Sequence, residues 1–173
     1  MKMNMARISV VTSLVLLGSQ LGYSQGTFQN LDFENPIQSL EHGVVPITSA
    51  LPGWTGYLNG NPSNLVWFSN VVISGLAISV VDYSLITFPP IQGLYSVFLN
   101  TAGIGQTGQL ASAALSLFFL SEPGSGFQVT FGGQGIPLVQ FGTSGNNIIL
   151  AGDISMFAGQ TGELRFPLHG RRS

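Results

Sequence analysis

Cysteine is absent from the 173 residues, and charged side chains make up only 7% of them, against roughly 25% in an average soluble protein. Without cysteine there is no disulfide staple and no lipidated N-terminus, and zinc loses a principal ligand. Histidine is nearly as scarce. His42 sits beside Glu41 in a Pro- and Gly-flanked loop, and His169 lies near the C-terminus. A Ser-His-Asp arrangement needs an imidazole held firmly between its partners, and neither position offers one; no Gly-x-Ser-x-Gly stretch occurs either. Lys2 is the sole lysine, so no glycine run is followed by the cation that a phosphate-binding P-loop requires. Five basic residues against seven acidic ones cannot form the positive stripe that nucleic acid demands. Long helical periodicity is also missing, and 23 glycines with 9 prolines oppose a helical bundle. The hydrophobic fraction of 45% nevertheless argues against disorder and gives one domain a sizeable core.

What is present begins with a leader. Lys2 and Arg7 precede an apolar stretch from Ile8 to Leu17, followed by small and polar residues down to Gly22-Tyr23-Ser24. That order is the pattern of a secretory signal peptide, and its apolar run is far short of the roughly 20 residues a membrane-spanning helix needs. Small residues at Gly22 and Ser24 place cleavage after Ser24. The expected organisation is a signal helix over 1–24, a folded domain over 25–166 and a disordered tail over 167–173. Loss of Lys2 and Arg7 leaves three arginines against seven acids, a net charge of about −4. The mature chain is then expected to be secreted, extracellular or at the cell surface, with no membrane span.

From Thr27 onward, short apolar runs alternate with turn clusters. Strands are predicted over 27–33, 54–58, 64–68, 71–82, 94–100, 111–120, 127–131, 136–141, 147–157 and 162–166. Between them stand Asn59-Gly60-Asn61-Pro62, Phe88-Pro89-Pro90, Glu122-Pro123-Gly124-Ser125-Gly126, Gly132-Gly133 and Ser144-Gly145-Asn146, which supply the special φ values of tight reversals. Many short strands without covering helices predict an all-β domain, a two-sheet antiparallel β-sandwich of jelly-roll type. Its expected core includes Phe118, Phe119, Phe131, Ile148, Ile149, Leu150, Ile154 and Phe157. Trp54, after Pro52-Gly53, is expected to plug it. A membrane barrel fits poorly, because 71–81 and 147–157 contain consecutive apolar residues rather than alternation.

Three features bear on function. Gly103-Ile104-Gly105-Gln106-Thr107-Gly108 matches a dinucleotide-binding fingerprint in letters only, since no βαβ pattern surrounds it and no acid follows at the required distance; it reads as a flexible Gly-rich loop. In Asn30-Leu31-Asp32-Phe33-Glu34-Asn35, Leu31 and Phe33 alternate with polar residues. Glu34, with Asp153 from a late strand and backbone carbonyls, offers an oxygen-only set suited to structural calcium. The alternative is that each carboxylate accepts backbone N–H groups at a turn. Finally, Tyr57, Trp67 and Tyr83 are aromatics of the kind that stack on sugar rings, and equally of the kind that fill a core or its rim. No catalytic residue, and no cofactor beyond that calcium, is expected.

The runs Phe28 to Glu34, Leu51-Pro52-Gly53-Trp54, Gly93 to Leu99, Asp153-Ile154-Ser155 and Phe157 to Phe166 together resemble exported bacterial PEP-CTERM-type surface proteins with a galactose-binding-like jelly roll. The resemblance covers most of 27–166 and carries no catalytic residues. It implies an extracellular protein associated with exopolysaccharide. In calcium-binding relatives of that fold, a Glu ending the first strand and acids near the last share the ion; Glu34 matches the first position and Asp153 matches loosely. Such proteins continue past the Gly-Glu-Leu-Arg-Phe strand into a further strand, Pro-Glu-Pro and an anchor, whereas this sequence ends at Ser173, which reads as a truncated or a released member. The expected function is a secreted, non-catalytic carbohydrate-binding module, with a purely structural matrix or adhesion protein as the alternative and a glycoside-acting enzyme a more distant one.

Overall fold

Alternating apolar residues and glycine-bearing turns fold this chain mostly into β-strands. The computed structural model describes residues 6–9, 27–37, 41–72, 75–84 and 91–167, and of 6–9 the backbone alone. In chain order the elements are β1 (Ala6–Ser9), β2 (Gly43–Pro46), a one-turn helix α1 (Ile47–Ala50), β3 (Thr55–Leu58), β4 (Asn61–Ser63), β5 (Leu65–Phe68), β6 (Ala77–Asp82) and β7 (Tyr95–Asn100). They continue with β8 (Ala102–Gln109), β9 (Ser116–Ser121), β10 (Val129–Phe131), β11 (Gln134–Ile136), β12 (Leu138–Ser144), β13 (Asn147–Asp153), a 3-10 turn (Ser155–Phe157) and β14 (Thr161–Pro167).

The strands form an eight-stranded sheet, in the order β12-β13-β9-β1-β7-β6-β5-β2, and a six-stranded sheet, in the order β11-β10-β14-β8-β3-β4. The ladders are antiparallel except between β5 and β6, which run parallel. Three of the predicted turns close hairpins directly; in one of them, Gly145-Asn146 between β12 and β13, only Gly145 has positive φ. Asn59-Gly60 joins β3 to β4 and Gly132-Gly133 joins β10 to β11, with positive φ at both central residues of each, the conformation of a two-residue hairpin matched to strand twist. Pro62 is accommodated because β4 is an edge strand.

Both sheets contribute to one buried cluster. Val66, Phe68, Ile78, Val80, Val97, Leu99, Leu117 and Phe119 come from the larger sheet, and Ile104, Val129, Phe131, Leu164 and Phe166 from the smaller. Apolar burial of this kind contributes roughly 25 cal/mol per Å². Trp54 is 3% exposed, its ring against Phe33 and Phe166, and its Nε1–H donates to the carbonyl of Asn30 at 2.9 Å. The core expectations hold for Phe119, Phe131, Ile154 and Phe157. Phe118 instead leans edge-on against the exposed Phe141, and Ile148, Ile149 and Leu150 are only half-buried, because β13 lies near the edge of its sheet.

Several strand predictions need correction. Residues 27–33 form turns, not a strand: Asn30 and Phe33 have positive φ, and Phe33 N–H donates to the Asn30 carbonyl. The burial alternation nevertheless survives, with Leu31 and Phe33 inside and Asp32 outside. The predicted strand 111–120 begins only at Ser116, and 147–157 breaks after Asp153 into the 3-10 turn. The stretch expected to be a flexible glycine loop is β8, paired on both sides. Residues 6–9 of the predicted signal helix form a strand; the rest of that leader and the predicted tail beyond Pro167 lie outside the described residues. No helix among the described residues is long and apolar enough to cross a membrane.

Candidate functional site

On the six-stranded sheet, β8 lies between β3 and β14. Strand alternation sends Ile104, Leu164 and Phe166 into the core and leaves Tyr57, Gly103, Gly105, Glu163 and Arg165 on the opposite face. The register sets Tyr57 opposite Gly103, Thr55 and Arg165 either side of Gly105, and Glu163 opposite Thr107. Because β8 carries no side chain at 103 or 105, groups from its two neighbours meet across it. The Tyr57 hydroxyl donates to Glu163 Oε1, and the Arg165 guanidinium carbon lies 3.6 Å from the centroid of the Tyr57 ring, a cation–π contact. Glu163 Oε1 hangs over Gly105, where an added Cβ would stand only 2.6 Å from it. Arg165 Nε is buried without a partner.

The ensemble is a half-buried aromatic ring bracketed by a carboxylate and a guanidinium, with exposed Thr55, Thr107 and Gln109 nearby on the same face. Such a surface offers acceptors, donors and an apolar ring side by side. Glu163 is the only acid in the six strands of this sheet, so the sheet assembles no carboxylate pair of the glycosidase kind. The hydrogen bond to Glu163 raises the Tyr57 phenol above its ordinary value of 10.0; burial and the Glu163 charge push the same way, and Arg165 opposes them. The folded state thus favours the protonated phenol. Its contribution to stability is whole below pH 10 and is lost as pH rises through the raised folded pKa. Ultraviolet titration of Glu163→Gln should show one tyrosine ionising at lower pH than in the parent protein; an unchanged titration would disconnect Tyr57 from Glu163.

No known protein family, curated protein or solved structure matches the chain.

The three aromatics anticipated as ligand contacts do not form one surface. Tyr57 lies on the smaller sheet. Trp67 lies on β5 of the larger sheet, opposite Val44 and Ser79, half-buried beside the exposed Leu65. Tyr83 follows β6, with its hydroxyl buried and unpartnered. Glu163 and Arg165 were not singled out from the sequence, although Gly-Glu-Leu-Arg-Phe alternates in a way that puts both charges on one face.

Glu34 and Asp153, anticipated as calcium ligands, are not brought together. Glu34 accepts the backbone N–H groups of Leu94 and Tyr95 at 3.0–3.1 Å. Asp153 accepts the N–H of Ser155 at 2.9 Å, and hydrogen bonds from the Ser155 hydroxyl and backbone hold its carboxyl below the usual value. Glu34 is tied to the start of β7 and Asp153 ends β13, and β1 and β9 lie between those two strands. Each carboxylate thus takes the turn-capping role, and no group of three potential metal-binding side chains occurs among the described residues. Asp82, opposite Tyr95 in the β6–β7 ladder, receives the Ser84 N–H and hydroxyl. Burial, Asp82 and Glu34 together raise the Tyr95 phenol.

Proposed function

We propose that this chain is an exported, non-catalytic surface protein that binds extracellular polysaccharide through the outer face of its six-stranded sheet. In this reading the two sheets form a sandwich of jelly-roll, galactose-binding-like type, and the chain belongs with the PEP-CTERM-type surface proteins its sequence resembles. The observation that carries the proposal is the Tyr57–Glu163–Arg165 group over the glycine floor of β8. Glu163 and Arg165 supply opposite hydrogen-bonding polarities to sugar hydroxyls, and the Tyr57 ring supplies the apolar contact. The low charge of the mature chain suits a neutral or weakly ionic glycan rather than a polyanion.

A glycan array followed by calorimetry tests the proposal. Tyr57→Ala is expected to weaken binding by tenfold or more, about 1.4 kcal/mol, while Trp67→Ala and Tyr83→Ala leave it intact. Retained affinity in Tyr57→Ala, or no glycan binding by the parent, would end the reading. The second reading, a structural matrix or adhesion protein, rests on β12, an edge strand with Val139 and Phe141 exposed by 62% and 69%. Edge strands of that kind favour association between chains. Concentration-dependent assembly without any glycan affinity would favour it.

A further inference from the structure

The larger sheet is held together at its centre by a segment from far upstream. β1 pairs antiparallel with β7, setting Ala6 opposite Leu99, Arg7 opposite Phe98 and Ile8 opposite Val97. On its other side it pairs antiparallel with β9, setting Ile8 opposite Ser121 and Ser9 opposite Leu120. β1 therefore links the β12-β13-β9 part of the sheet to the β7-β6-β5-β2 part. The same four residues fall inside the stretch that the sequence marks as a leader ending at Ser24.

Those two facts conflict in a mature chain. If β1 leaves, β7 and β9 each present a row of unpaired N–H and C=O groups in the middle of a sheet. These rows are deep: Ser96, Val97, Phe98, Leu99 and Asn100 on β7 are buried, as are Leu117, Phe119, Leu120 and Ser121 on β9. Buried backbone groups without partners are strongly unfavourable. The gap between β7 and β9 is two ladder spacings, about 9.6 Å, which admits one extended strand.

We propose that this slot is a strand-acceptor site: it holds Ala6–Ser9 in the full chain and, once the leader is excised, binds one extended peptide strand, apolar at the alternate positions opposite Val97 and Leu99 and running antiparallel to both neighbours. Excision rests on the export reading above, whereas the affinity of the slot for a strand does not. Main-chain hydrogen bonds on both sides supply affinity with little dependence on sequence, as in strand addition generally. Selectivity comes from the walls. One face of the slot is lined by Val97, Leu99, Leu117 and Phe119 of the core cluster, so charged residues are disfavoured at the positions opposite Val97 and Leu99, where β1 has Ile8 and Ala6, whereas the position opposite Phe98 takes Arg7. The free edges of the sheet at β2 and β12 pair a strand on one side only.

The test uses the full chain with a protease site inserted after Ser24. After folding and cutting, the 1–24 fragment should stay bound. Excess synthetic peptide spanning residues 1–12 should displace it with one-to-one stoichiometry. The same peptide with Ile8→Pro lacks one ladder N–H and should bind at least about tenfold more weakly. Hydrogen exchange at Val97 to Leu99 and at Leu120 to Ser121 should slow when either strand is bound and quicken when the slot is empty. Three results would overturn the proposal: loss of the fragment with those amides still protected, equal binding of the proline peptide, or closure of the slot by pairing with another copy of the cut chain. A leader that is never excised in the cell would remove the export reading and leave the peptide measurements standing.

Discussion

Phe166→Ala is expected to remove about 3–5 kcal/mol of folding stability, a large share of the roughly 5–15 kcal/mol available to a domain. Phe166 is fully buried. Its ring stands 5.3 Å from that of Phe119, at an interplanar angle of 86°, and 6.1 Å from Trp54. Phe166 belongs to β14 and Phe119 to β9, so this edge-to-face pair joins the two sheets. Alanine would leave a cavity that neither sheet can close alone, since β14 is pinned between β8 and β10. Urea unfolding should report a midpoint lower by about 2 M. Phe141→Ala is the control. That ring is 69% exposed and touches Phe118 edge-on, a contact worth about 1 kcal/mol. If the two variants unfold at the same urea concentration, the two sheets do not depend on a common core.

The mostly β character was legible because turn chemistry is local. Asn59-Gly60 and Gly132-Gly133 specify their hairpins almost unaided, and Trp54 after Pro52-Gly53 lies in the core as its surroundings suggested. What local pattern misjudged was governed by partners distant in sequence. Residues 27–33 alternate like a strand, yet Gln29 exchanges hydrogen bonds with the side chain of Gln106, whose Oε1 accepts its N–H and whose Nε2 donates to its carbonyl. With the Asn30 carbonyl also accepting from Trp54, that segment becomes a set of turns whose Phe28, Leu31 and Phe33 join the core. The acids were legible as turn formers but not as partners of particular amides: the attachment of Glu34 to Leu94 and Tyr95 spans about 60 residues of sequence. Of the candidate site only Tyr57 was anticipated. Glu163 and Arg165 become interesting only when β8 lies between them and Tyr57, a juxtaposition created by two ladders and by no local motif.

The glycines of β8 mislead most, because a residue type that marks loops is used here to let neighbouring groups approach a paired strand, and their substitutions should separate two kinds of approach. A Cβ at position 103 would stand 2.9 Å from the Phe166 carbonyl oxygen and 3.2 Å from Pro167 Cα. Both are backbone atoms of β14, so Gly103→Ala must push a strand, and overpacking of that kind costs about 1–3 kcal/mol. A Cβ at position 105 meets instead the carboxylate end of Glu163, which can swing away. Gly105→Ala forfeits the Tyr57–Glu163 hydrogen bond, a net contribution of about 0.5–1.5 kcal/mol, and recovers roughly 0.5–1 kcal/mol of the chain entropy that glycine costs in a strand. Its stability should therefore change little. Its tyrosine titration should move toward the ordinary value, since the Glu163 contact is the leading cause of the Tyr57 shift. A melting temperature lowered equally in both variants, or a Tyr57 titration unmoved in Gly105→Ala, would mean that Glu163 does not rest on the glycine floor and that the polar group on this sheet is not organised by β8.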